Sequence, residues 1–224
     1  LLLFMGSDDE RIEVRRAIPK TIALIGGRAS VSALVRSIPG ANPALRRALI
    51  EALAYLRRRD ESLRIAPHVV RREVLTEART YLQDLADVVA VSGEQGVRMV
   101  GPRVARDCDP PPGLLVRVLA ERIDRSLDTL FWLLELRLWP ADARAARRTL
   151  LGSQAGIRAR ALEYLDNSLD RELRRDVFAV IDDEPIADKL RRARQEYGTA
   201  AESRTRTIAR LAATDPSTQP TGES

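Results

Sequence analysis

The chain has 224 residues, of which 45% are hydrophobic and only 4% aromatic, and it carries a net charge of +5. A single cysteine and a single histidine exclude a disulfide framework and a Cys/His metal centre. No apolar run approaches the roughly 18 residues of a membrane span. All but two of the 37 basic residues are arginine, the exceptions being Lys20 and Lys189. Ala, Leu and Arg are good helix formers, and no alternating run of Val, Ile, Thr and aromatics argues for a strand. The composition predicts an all-α protein exposed to a reducing cytoplasm.

In chain order, Leu1–Phe4 is too short and lacks the basic lead of a signal peptide; it looks like the end of a helix from something longer. Asp8-Asp9 opens a predicted helix to Ile25 that contains Pro19, and Gly26-Gly27 ends it. Arg28–Ile38 forms its partner, with Val31, Leu34, Val35 and Ile38 on one side. Asn42-Pro43 supplies an N-cap and a first-turn proline for a helix to Arg58. Pro67 opens a long helix to Val91 with Val70, Val74, Tyr81, Leu82 and Leu85 at helical spacing. Ser92–Gly113, rich in Gly and Pro, reads as an irregular loop, either a tolerated insertion or a docking loop. Leu114–Trp139 is the most apolar helix, with Leu115, Val118, Leu119, Ile123, Leu127, Leu130, Phe131, Leu134 and Leu138 as its stripe. Pro140–Leu151 is a short helix. Ser153–Leu169 is amphipathic, with Ser153 as N-cap and Ile157, Ala161, Leu162 and Leu165 as its buried face. Arg171–Ile181 follows, and Asp182-Asp183-Glu184-Pro185 opens a last helix to Tyr197. Residues 1–198 form the predicted helical domain, and 199–224, poor in large apolar residues, reads as a disordered tail.

A pattern recurs in three of these helices. Val14-Arg15-Arg16-Ala17-Ile18 with Ile22 matches Leu45-Arg46-Arg47-Ala48-Leu49 with Leu53, and both match Ile157-Arg158-Ala159-Arg160-Ala161 with Leu165. The first two copies lie about 31 residues apart, a period that suits one helical hairpin per unit. The expected fold is an α-solenoid of such hairpins. Arg15, Arg46 and Arg158 follow the first apolar position of each copy. They form either a ladder paired with acids of neighbouring units or a row of phosphate contacts.

Hydrolase triads, phosphate-binding loops and zinc-protease motifs are all absent. Asp182, Asp183 and Glu184 read as capping acids, His68 as a surface or cap residue and Cys108 as an incidental loop thiol. Phe131, Trp132, Trp139 and Tyr164 read as core rather than as a ligand cage. No catalytic residue, cofactor or metal is expected.

The segments RRAIPKTIALIG, ALIEALAYLRR, ERIDRSLDTLFWLLELRLWP and IRARALEYLDNSLDRELRRDVFAVIDD are similar to HEAT repeats. More specifically, they resemble the soluble HEAT-repeat region of bacterial ATP/ADP-translocase-like transporters of the major-facilitator type, over residues 8–190. In that family the region follows the membrane bundle, and some members carry a cyclic-nucleotide-binding-like domain after it. The resemblance implies a non-enzymatic scaffold or regulatory module on the cytoplasmic face, whose partner is a protein segment or the membrane domain of the parent transporter. It offers no catalytic residue, and the 92–113 loop departs from its pattern. The arginine excess motivates an alternative, a nucleic-acid-binding HEAT protein of the DNA-glycosylase-like kind with an Arg-rich concave face.

Overall fold

The computed structural model describes residues 12–106, 112–152, 155–200 and 202–214, with side chains described from Ala17 onward except those of Gln95, Ala155 and Thr214. Among these residues the chain is almost wholly helical: α1 (Ile12–Ile25), α2 (Gly27–Arg36), α3 (Pro43–Arg59), α4 (Pro67–Ser92), α5 (Leu114–Glu135), α6 (Pro140–Leu150), α7 (Ala155–Ser168), α8 (Arg171–Ile181), α9 (Ile186–Arg192) and α10 (Arg204–Thr214). Its strands β1 (Met99–Val100) and β2 (Arg103–Val104) form one antiparallel hairpin, pairing Met99 with Val104 and Val100 with Arg103. No helix among the described residues is long and apolar enough to cross a membrane.

The helix boundaries follow local chemistry. The Asn42 side chain accepts a hydrogen bond from the Leu45 N–H at 2.9 Å, and Pro43 occupies the first turn, where its missing N–H costs nothing. Asp170 does the same for α8, accepting from the Leu173 N–H at 3.0 Å. Gly26 and Gly27 separate α1 from α2 with φ of 83° and 77°, a left-handed geometry that side chains resist. Pro19 lies within α1 without ending it.

The chain divides into two compact units, residues 1–77 with 127–178, and residues 78–126 with 179–224. In the first, α1 packs on α2 and α3, α2 packs on α3, α3 meets α6, and α6 packs on α7. Leu45, Leu49, Ile50, Leu53 and Leu56 bury α3 on more than one side. The core part of α5 in this unit holds Leu127, Leu130, Phe131, Leu133 and Leu134. The second unit contains the hairpin, the end of α8, α9 with a π-helical turn over Ala193–Tyr197, and α10.

Several expectations are corrected. In α7 the exposed residue is Ile157 (49%), while Arg158 is buried (5%). The inward face is therefore Arg158, Ala161, Leu165 and Leu169, so the third copy of the pattern does not place its first apolar residue as Leu45 is placed. Ser153 lies outside the described residues, as do the side chains of Val14 and Arg15. At the start of α5, Val116 is buried and Val118 exposed, and the helix ends at Glu135, before Trp139. Phe131 is core as expected, but Trp139 is exposed. The 92–113 stretch holds a 3₁₀ turn over Glu94–Gly96 and the hairpin, anchored where the buried Tyr81 hydroxyl donates to the Pro102 carbonyl at 2.7 Å; Cys108 lies outside the described residues. Residues 204–214 of the expected tail form α10, because Thr207 is fully buried and Arg210 reaches buried Asp87 at 2.6 Å.

The rotated face of α7 predicts very different costs at two apolar positions of the repeated pattern. Leu49→Ala should cost about 2–5 kcal/mol of unfolding free energy, whereas Ile157→Ala should stay within about 0.5 kcal/mol. Urea denaturation of both variants checks it.

Candidate functional site

The charged groups of this protein are arranged by α4 and α5. On α4, Glu73, Glu77, Asp84 and Asp87 fall on one helical face and all four are buried. On α5, Asp124, Asp128 and Glu135 repeat the spacing of Glu73, Glu77 and Asp84. Buried carboxylates are stable only when paired, and arginines from other elements meet them. Arg46 of α3 donates from Nε to Glu73 at 2.6 Å, from Nη1 to Glu77 at 2.9 Å and from Nη2 to the Glu73 carbonyl at 3.1 Å. Arg122 reaches Asp84 at 2.7 Å. Arg210 bridges Asp87 and Glu202 at 2.6 and 2.9 Å. Arg103 grips Asp124 through Nε at 2.8 Å and Nη2 at 3.0 Å, and Arg106 joins it.

This arrangement fixes the fate of the arginine ladder. Arg46 is committed to two carboxylates of α4, and Arg158 is buried in α7. Neither presents its charge to a ligand, and the Arg15 side chain lies outside the described residues. Apolar spacing carries no trace of the acid stripes; the periodicity of the acids is the signal in the sequence that does.

A second inward cation is Lys189. Its Nζ donates to the carbonyls of Val180 at 2.9 Å and Asp182 at 2.8 Å, closing the C-terminal end of α8, and lies 5.9 Å from the centre of the Tyr81 ring. Burial pulls its pKa down to about 8, against the opposing pull of Asp182 and Glu184. Burial likewise raises the Tyr81 phenol, with Asp124 adding to the effect. Asp182 and Glu184 thus set the field around Lys189, and Glu184 pairs with Arg192 at 2.7 Å. Pro185, not an acid, occupies the N-cap position of α9, which corrects the reading of these acids as caps. His68 is exposed, and no group of three metal-ligating side chains occurs among the described residues.

Among the described residues, α6 borders two surfaces of the first unit. Between α6 and α7 lies a groove of about 230 Å³. It is lined by Ala145, Ala146, Thr149, Ile157, Ala161 and Arg160, and the Tyr164 hydroxyl donates to Asp142 at 3.1 Å. This is smaller than the ~300–1,000 Å³ of small-molecule sites and has no nucleophile–base pair, so it suits an apolar side chain of a peptide. On the other side of α6, Arg144 and Arg147 face acids of α5.

Two measurements follow. Arg46→Met takes one cation away from buried Glu73 and Glu77 and should cost about 3–5 kcal/mol of stability, read from urea midpoints. From pH 8 to 9.5 stability should rise with pH through Lys189, because the unfolded lysine stays protonated towards 10.5 while the folded one releases its proton from about 8. Lys189→Met should flatten that rise.

The chain was compared with protein-family models, with curated proteins and with solved structures, and it matches none of them.

Proposed function

We propose that this chain is a non-enzymatic helical scaffold that docks a segment of a partner protein in the groove between α6 and α7. The observation that carries the reading is the groove itself: a mostly apolar lining that includes half-exposed Ile157, with one cation, Arg160. A scaffold of HEAT-like hairpins stacked as an α-solenoid accords with the repeated Arg-bearing pattern. It also accords with the packing of α1 on α3, since solenoid units contact their successors. The resemblance of the sequence to the HEAT region of translocase-like transporters makes the proposed partner the membrane domain or another segment of such a transporter, met on its cytoplasmic face.

Nucleic-acid binding is the competing role. It is disfavoured because Arg46, Arg122, Arg103 and Arg210 are all spent on internal carboxylates.

A photo-crosslinking amino acid placed at Ile157 in the full chain tests the proposal. The expected product is one recurring apolar peptide, whose purified form binds the chain and loses about tenfold or more in affinity on Ile157→Asp, with little salt dependence. Crosslinks to nucleic acid alone overturn it. So does duplex DNA binding that falls steeply, by roughly 10³-fold or more, as salt rises from about 50 to 200 mM.

A further inference from the structure

We infer that the surface where α3, α5 and α6 meet around Trp132 is a reading site for an acidic peptide segment. It deepens the scaffold reading by naming the chemistry of a second part of the docked partner. On α3 itself, Arg46 is engaged by two carboxylates at once, Glu73 and Glu77. Around Trp132 the ratio is inverted. Arg47 and Arg147 converge on the single carboxylate Asp128. Two turns further along α5, Glu135 receives Arg58 at 3.2 Å and the fields of Arg144 and Arg147. Four guanidiniums thus surround two carboxylates. Glu51, one turn from Arg47 on α3, still leaves the site positive.

Arg47 is the group most available to a ligand. Its guanidinium lies 5.0 Å from the centre of the Trp132 ring, which holds the plane in place. Among the described residues its one ion pair, to Asp128, is long at 3.5 Å, and the side chain is 32% exposed. A planar fork stacked on an aromatic ring and weakly engaged by an internal carboxylate is suited to exchange that carboxylate for one supplied by a partner. Asp128 then acts as an internal competitor, occupying the arginines until an acidic segment displaces it.

The test uses the full chain at about 50 mM salt and a fluorescein-labelled octaglutamate peptide, with octaglutamine as the neutral control and Trp132 fluorescence followed in a Trp139→Phe background. Octaglutamate should bind and octaglutamine should not. Arg47→Gln should weaken binding about tenfold, with Arg47→Lys intermediate because it keeps the charge and loses the fork. Asp128→Asn should tighten binding about threefold or more, an outcome that a merely structural role for the pair does not give. Urea midpoints confirm that the variants fold. The inference is overturned if octaglutamate binds no better than octaglutamine, if Asp128→Asn leaves the affinity unchanged or weakens it, or if a single-stranded DNA oligonucleotide of equal charge binds more tightly and with the same dependence on Arg47. Ile157→Asp should leave octaglutamate binding intact, so loss of apolar-peptide docking alone sinks the groove and not this site.

Discussion

The structure depends on the pairing of carboxylates on the two long helices with arginines delivered by other helices. Taking Glu73, Glu77, Asp84, Asp87 and Glu135 out of water costs several kcal/mol each unless a cation follows. Each meets one, and the donors come from α3, α5 and α10. A helix that must bring an arginine to a fixed carboxylate has little freedom in its rotation about its own axis. Apolar faces made chiefly of Ala and Leu would slide past one another at small cost; the ion pairs set the register. At Glu135 the balance is visible: burial raises its pKa although Arg58, Arg144 and Arg147 oppose that shift.

The same constraint decides what the protein can do with its positive charge. A net +5 invites a phosphate-binding role, but most of the described arginines with a defined partner are directed at this chain's own acids. What remains for recognition is local. One side of α6 offers small apolar residues towards α7, and the other offers arginines towards α5, where they outnumber the acids. One short helix thereby carries two surfaces of different chemistry, and a partner segment with an apolar anchor beside acidic residues matches both.

Much of the helical layout was legible from local signals. Asn42-Pro43, Pro67 and Gly26-Gly27 mark ends by backbone chemistry that acts within a few residues, and the structure places the ends of α1, α3 and α4 accordingly. The face of α7 was not legible. Ile157 and Arg158 are adjacent, and spacing alone prefers the isoleucine inside; the structure buries the arginine and leaves the isoleucine at the groove. Trp139 fails for a related reason, since α5 stops at Glu135 and the indole falls beyond the packed turns.

The amino-acid sequence by itself determined that the chain is helical, where most helices begin and end, and that no Cys/His centre can form. These are properties of composition and of contacts within one or two turns. Only the tertiary structure decided which arginines are spent inside and which are left to bind. That choice rests on whether a carboxylate from a distant helix arrives within about 4 Å, a distance fixed by packing and invisible to local spacing.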